Sequence, residues 1–580
     1  MATEHLLEEF PPVSTAAWEA AITRDLKGAD YEKKLIWRTD EGLAVKPYYR
    51  AGDLDGAVRR DAAPGKFPYG RGTREEAGWR IREVIGATGT ESANRAARAA
   101  VAAGAEEIAF AAPAVSSAAE LRRLVAGLDE IPLHFEDADE PTIRLLLSWL
   151  HARPRSAPVS TGCDALANVE FAAEVIKSAP EKLLPFTIHG NTLEEAGATA
   201  VEEVGFTLAA GVDFVAAMQE HGAGVDRAAM ATEFCFATGA NYFFEIAKLR
   251  AFRMLWARVV ESFGGASECA RARIATRTSR WSKTIYDPHV NILRATTEAM
   301  AAVLGGADSV TVAPFDQCYR PSDEASRRLA RNTQLLLKHE ASLGRVADAA
   351  GGSYYVETIT DFLAREGWKR MQQIEARGGY RKTLTSEEIS KALEEKLAAK
   401  ENAAVLRRRV LIGTNQFANP AERALKRVEE ERVNEIKRGA RAYERLRLRS
   451  ERYEAAGGKL PRVVLAEIGD AKMRAARSAF AANFFACAGF AVATMRCKKA
   501  EELAEAEGEL IVLCSSDGEY APLVAELMPR LKALGRETPV VAAGNPADAE
   551  QLAAAGIADF INVRSNPIEV LTKWQERLGI

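Results

Sequence analysis

From about residue 78 to residue 375, short β-rich runs alternate with stretches of helical period, and few folds accept that pattern. Ile108–Ala111, Leu133–Phe135, Ala157–Ser160, Phe186–His189, Ala231–Ala237, Arg273–Arg277, Ser309–Ala313 and Tyr354–Val356 read as strands. Thr192–Ala209, Tyr242–Ser262, Val290–Leu304 and Asp323–Leu343 read as helices between them. Eight such units predict an eight-stranded parallel β/α barrel, a TIM barrel, with any chemistry at the carboxyl ends of the strands.

The alternation resumes near the C-terminus. Val463–Ile468, Phe490–Met495, Leu510–Cys514, Val540–Ala543 and Phe560–Val563 are strand candidates, each followed by a helical stretch. This predicts a flavodoxin-like, doubly wound sheet whose ligands would sit at the strand ends. The first of those ends carries Asp470-Ala-Lys472-Met-Arg-Ala475. A lysine there is protonated near neutral pH unless buried or paired, so Lys472 offers no lone pair to a metal.

The chain therefore divides into an arm (1–45), a barrel (46–375), a charged helical linker (376–458) and the doubly wound domain (459–580). Trp18, Leu35, Ile36 and Trp37 are too apolar for a disordered arm and suggest partner contact. In the linker, Val433, Ile436, Ala440 and Tyr443 recur at helical spacing within a Lys/Arg/Glu-rich run. That run reads as a solvated connector or, alternatively, as a partner-contacting helix. Gly457-Gly458 marks the entry to the last domain.

A net charge of −4 argues against nucleic-acid binding, which needs a basic face. No apolar run reaches the roughly 18 residues of a membrane span, and the N-terminus lacks the layout of a signal peptide. Seven cysteines without a Cys-x-x-Cys pair fit reduced thiols in the cytoplasm and disfavour structural zinc.

Several long stretches carry a family resemblance. They are Phe186-Thr-Ile-His-Gly190-Asn-Thr-Leu-Glu-Glu-Ala-Gly-Ala198, Asn241-Tyr-Phe-Phe-Glu-Ile-Ala-Lys-Leu-Arg250 with Leu255-Trp256-Ala257, and Arg331-Asn-Thr-Gln-Leu-Leu-Leu-Lys-His-Glu340 followed by Arg345-Val-Ala-Asp-Ala-Ala-Gly-Gly-Ser-Tyr-Tyr-Val-Glu357. Together they resemble the methylmalonyl-CoA mutase family over nearly the whole chain. Tyr286-Asp-Pro-His-Val-Asn291 with Gly305-Gly306-Ala-Asp308, and Cys514-Ser-Ser-Asp-Gly-Glu-Tyr520 with Ala555-Gly-Ile-Ala-Asp-Phe560, resemble its small-subunit members in particular.

The resemblance also marks departures. The family's catalytic chains carry a Tyr-His pair after the fourth strand, where this chain has Asn191 and Thr192. His189 lies on the other side of Gly190 and reads as a packed or hydrogen-bonded barrel histidine rather than a substitute. Thr192 and Glu195 match a capping box at a helix start. In the cobalamin domain the family's Asp-x-His-x-x-Gly is here Asp470, Lys472 and Ala475. The family's Ser-x-Leu is here Ser515, Ser516 and Asp517, and its Gly-Gly is Ala543 and Gly544. A buried carboxylate at Asp517 and a methyl at Ala543 would crowd the cofactor's nucleotide tail.

The resemblance thus implies a small, non-catalytic subunit of a heterodimeric mutase that interconverts methylmalonyl-CoA and succinyl-CoA. Adenosylcobalamin, the acyl-CoA and catalysis would belong to a homologous large partner, and the barrel axis here would be filled by bulky side chains. The alternative is a competent acyl-CoA mutase that binds cobalamin without a protein histidine. Asp287, His289 and Asp316 lack ligand spacing, so no metal is expected. Gly351-Gly352 reads as a tight turn feeding the last barrel strand, and His339 as a helix-surface or interface residue.

Overall fold

The computed structural model describes residues 12–56, 62–86, 89–111, 115–136, 138–384 and 387–580. The part of the arm before residue 12 lies outside them. The described arm contributes a helix, Thr15–Asp25, capped by Ser14, and a two-stranded antiparallel ribbon of β1 (Trp37–Arg38) and β2 (Ala44–Val45).

The barrel strands are β3 (Arg80–Ile85), β4 (Glu107–Phe110), β5 (Leu133–Phe135), β6 (Val159–Thr161), β7 (Leu183–Leu184), β8 (Phe186–His189), β9 (Thr232–Thr238), β10 (Arg273–Thr278) and β11 (Ser309–Thr311). They pair in parallel in the order β7-β6-β5-β4-β3-β11-β10-β9-β8. The two ends of this sheet, β7 and β8, are halves of one stretch interrupted at Pro185, which has no N–H for a ladder. The stretch pairs with β6 through its first half and with β9 through its second. Counted as one strand, it makes the sheet an eight-membered ring.

The expected barrel is present with a different first and last unit. Its first strand is Arg80–Ile85, which charged residues at Arg80, Arg82 and Glu83 disguise as a surface segment. Tyr354–Val356 is not a strand: it opens the helix Tyr354–Glu375, with Ser353 as N-cap, so Gly351-Gly352 feeds a helix. Thr192–Ala209 also proves to be two helices, Gly190–Glu195 and Ala200–Glu220. The break falls at Gly197, whose φ of +111° favours glycine and where a Cβ would lie 2.7 Å from the Leu393 carbonyl oxygen. Thr192 is therefore inside a short helix, and the capping box is Thr199 with Glu202.

Alternation sorts the strand side chains. Ile81, Ile108, Phe110, Phe135, Val159, Ile188, Phe234, Ile274 and Val310 belong to the main apolar core. The helices Ala200–Glu220 and Tyr242–Ser262 are buried along most of their length. Among the described residues no helix is long and apolar enough to cross a membrane.

The second domain holds β12 (Arg462–Glu467), β13 (Ala491–Arg496), β14 (Leu510–Cys514), β15 (Val540–Ala543) and β16 (Ile557–Ile561), paired in parallel in the order β13-β12-β14-β15-β16. Helices cover the sheet over two apolar clusters, the flavodoxin-like arrangement.

The helix Arg441–Ala455 departs from the solvated reading of the linker. Tyr443, Glu444, Leu446, Arg447 and Ser450 recur at three-to-four spacing and are buried. Toward the barrel, Glu444 accepts from the Ile285 amide at 2.9 Å and from Arg438 at 2.8 Å, and the Tyr286 hydroxyl donates to Glu451 at 2.8 Å. Toward the second domain, Ser450 donates to the Ala488 carbonyl at 2.7 Å and Gln575 donates to that of Leu446 at 2.7 Å. The charges that suggested solvent are the groups that fasten this helix between two domains. Arg438→Met, which strands Glu444 without its cation, is expected to cost about 3–5 kcal/mol in urea unfolding of the full chain.

Candidate functional site

Two places in this architecture could hold ligands: the barrel axis and the strand ends of the second domain. The strand register sets the axis. Arg82 lies opposite Glu107 across the β3–β4 pair, His134 opposite Ser160 across β5–β6, and Arg273 opposite Glu233 across β9–β10.

Arg82 reaches Glu107 at 2.7 Å and Glu233 at 3.0 Å, with all three side chains buried. Four steps around the ring separate β4 from β9, so this bridge spans the barrel's diameter. Arg80 adds a second contact to Glu107 at 2.9 Å. The His134 Nδ1 lies 2.8 Å from the Ser160 hydroxyl and 3.8 Å from Glu233. Burial opposes ionisation of Glu107, but Arg82 and Arg80 outweigh it and hold the carboxyl at about 2. Burial raises Glu233 despite Arg82, and drives His134 well below its ordinary value, toward the neutral ring.

Nearer the carboxyl ends of the strands, Arg277 pairs with Glu136, and the His189 Nε2 donates to the Gly162 carbonyl at 2.8 Å. Asn191 leaves its Oδ1 buried without a partner, while Thr192 is exposed and donates to the His189 carbonyl at 2.8 Å. Arg82, Glu107, His134 and Glu233 were not singled out from the sequence. The available signal was charge at every second position of a strand, as in Arg80-Ile-Arg82, which a barrel interior explains and a surface strand also would.

In the second domain, Asp470 caps the helix Ala471–Ala486 by accepting from the Met473 amide at 2.8 Å. Lys472 and Ala475 on its first turn are exposed. The space between the strand ends is crossed by side chains that sequence reasoning passed over. Arg477 donates to the Ser515 carbonyl at 2.5 Å, the Tyr520 hydroxyl at 2.9 Å and Asp517 at 2.6 Å. Glu519 accepts from the Ser515 and Ser516 hydroxyls at 2.6 Å each and from the Asp470 amide at 3.1 Å, tying the first loop to the third. Tyr520 donates to the Ala543 carbonyl at 2.6 Å. Contrary to expectation, Asp517 is exposed rather than buried, with its charge met by Arg477. The Ala543 methyl belongs to the apolar core. A Cβ on Gly544 would lie 2.8 Å from Arg477 and 2.9 Å from Asp517, so side chains already fill the space glycine leaves.

The remaining candidates stay apart. Asp287 donates its amide to Glu422, His289 lies against Phe315 with ring centroids 5.1 Å apart, and Asp316 pairs with Arg320 at 2.9 Å. No cluster of three potential metal ligands occurs among the described residues. His339 is exposed, as expected.

A closed parallel barrel followed by a flavodoxin-like domain defines a two-domain α/β protein. The chain belongs to the methylmalonyl-CoA mutase family, whose family model matches residues 38–118 and 162–484. It is 36% identical to the methylmalonyl-CoA mutase small subunit of Porphyromonas gingivalis, covering 100% of this chain and 99% of that one. It is 31% identical to the small subunit of Streptomyces virginiae, over 99% and 98% of the two chains. It is also 30% identical to the methylmalonyl-CoA mutase large subunit of Streptomyces virginiae, over 77% of this chain and 67% of that one.

Two measurements follow from this geometry. Arg82→Met leaves Glu233 buried without a cation and Glu107 with Arg80 alone, and should cost roughly 3–5 kcal/mol at pH 7, most of it recovered when both glutamates are also changed to Gln. The hydroxyls of Ser515 and Ser516, with the Asp470 amide, hold the Glu519 carboxyl at about 2, below its ordinary 4.5. A depressed folded value stabilises fully above 4.5 and fades as the pH falls through 2. Urea midpoints of the wild type and Glu519→Gln should therefore differ at pH 6 and converge toward pH 2.

Proposed function

We propose that this chain is the small, non-catalytic subunit of a heterodimeric, adenosylcobalamin-dependent methylmalonyl-CoA mutase in the cytoplasm. A homologous large subunit would carry the cofactor, the acyl-CoA and the isomerisation of methylmalonyl-CoA to succinyl-CoA. The observation that carries this reading is that ion pairs of the chain itself fill both places where a mutase would seat its ligands.

Across the barrel axis, the Arg82 bridge to Glu107 and Glu233 stands in the path of a pantetheine arm, beside a cavity of about 370 Å³ at the amino ends of the strands. At the strand ends of the second domain, the residues do not fit cobalamin. Lys472, at the ligand position, offers an ammonium that has only donors. Arg477, Asp517 and Glu519 take the room above Gly469 and Gly544 that a nucleotide tail would need. Asn191 and Thr192 supply neither the phenol nor the imidazole of the catalytic chains. The full-length likeness to small subunits, set against a partial one to a large subunit, supports the same reading.

On this view His189, Asn191 and Thr192 are vestiges of a catalytic loop, and Asp470, Lys472, Ala475, Ser515, Asp517, Ala543 and Gly544 are vestiges of a cofactor site. The chain's work is to fold, and to hold its partner. The arm (1–45), with Trp18 and Trp37 about half exposed, is the first candidate surface for that contact.

Calorimetric and absorbance titration of the purified chain with adenosylcobalamin tests the proposal. No binding is expected at about tens of micromolar ligand, a free energy near −6 kcal/mol. Co-expression with a homologous large chain should yield a heterodimer that binds one cofactor. One-to-one binding to this chain alone would overturn the reading in favour of a competent mutase that binds cobalamin without a protein histidine.

A further inference from the structure

A buried arginine outside both sites has no carboxylate within ion-pair distance. Arg253, on the helix Tyr242–Ser262, is 2% exposed, and among the described residues it makes no ion pair. Its guanidinium donates only to two backbone carbonyls, Tyr69 at 3.2 Å and Gly306 at 3.3 Å. It lies nearly in contact with Gly306, where φ is +82° and a Cβ would stand 3.0 Å from Nη2. Both the turn and the guanidinium's seat therefore require glycine. Enclosing a lone charge in this way is costly unless something nearby compensates it.

Arg253 borders a cavity of about 50 Å³ between the segment Arg71–Gly78, the end of the helix Val290–Leu304 and the loop Leu343–Ala349. Arg71 and Arg74 also line it. The nearby carboxylates are already engaged. Asp348 is shared by Arg71, at 2.9 Å, and Arg250. Glu357 meets Arg250 at 2.7 Å, and Asp308 meets Arg74 at 3.4 Å and the Ile274 amide at 2.9 Å. Glu76 reaches the rim, but it is exposed. One cation is left over from these pairs, and it borders a partly open space lined by two more.

We infer that this cavity is a binding site for a small inorganic oxyanion of the phosphate or sulfate type. Guanidinium forks match the geometry of such anions, and several of them converge here. A single water needs roughly 10–15 Å³ of such space, so 50 Å³ admits a few atoms and no more. That inner space accepts the oxyanion itself but does not also hold the alcohol of a phosphate ester, which would have to project from the open side. Burial, then the neighbouring Arg250, pull the Arg253 guanidinium down to about 9, and Asp308, beyond ion-pair distance, offsets this only in part. A bound anion would join three parts of the barrel's outer wall, including the loop that carries Asp348.

The test is calorimetry on the full chain at fixed ionic strength, titrating inorganic phosphate, phenyl phosphate and chloride separately. Saturable one-site binding of inorganic phosphate is expected, tighter than that of phenyl phosphate and with none of chloride in the same range. Arg74→Gln, which changes an exposed side chain, should weaken phosphate about ten-fold, as for one charge-assisted hydrogen bond, and Arg253→Met should abolish binding. If Arg253→Met fails to fold, Arg74→Gln decides the matter. No saturable phosphate binding, an affinity unchanged in Arg74→Gln, or equal binding of phenyl phosphate or chloride would each overturn the proposal.

Discussion

A guanidinium at the axis of a parallel barrel has lost its water and must be neutralised by the protein. Arg82 is met by Glu107 on an adjoining strand and by Glu233 on the strand opposite. Because the two acids face each other across the diameter, neither can move outward without leaving a bare charge in the interior. The bridge thus fixes the bore of the barrel as well as its contents, and the apolar shell of helices packs around a ring of set diameter.

The second domain follows the same logic in a wetter setting. Arg477 and Glu519 make the contacts to loop carbonyls, hydroxyls and amides that a ligand would otherwise make at the ends of a doubly wound sheet. At the barrel axis and at these strand ends, the chain's own side chains meet the charged groups. On the proposed reading, a catalytic fold persists here as a supporting subunit because internal side chains stand where ligands would complete it.

Much of the frame was legible in the sequence. The helices Tyr242–Ser262 and Val290–Leu304 were readable to the residue because their apolar periods are long and uninterrupted. The five strands of the second domain are fully or partly buried and β-rich, and were found within a few residues. The first barrel strand was missed because its inward positions are arginines, and patterning arguments treat charge as solvent-facing. Tyr354–Val356 looked like a strand because a β-rich triplet after two glycines carries no helical period of its own. The site was less legible than the fold. Motif comparison located positions such as Lys472 and Asn191, but which side chains fill the space beside them depends on register and loop closure, which no local pattern encodes.

The helix Arg441–Ala455 bears on how the protein is made. The Ile285 amide and the Tyr286 hydroxyl find their partners in Glu444 and Glu451, more than 150 residues later in the chain. During synthesis the barrel wall is therefore complete in sequence long before its last buried polar groups can be satisfied. Domains commonly fold in order as they leave the ribosome, but here the barrel waits for the connecting helix that follows it. A nascent chain that stalls between the two would present an almost finished barrel with an unsealed end, the kind of surface that chaperones hold.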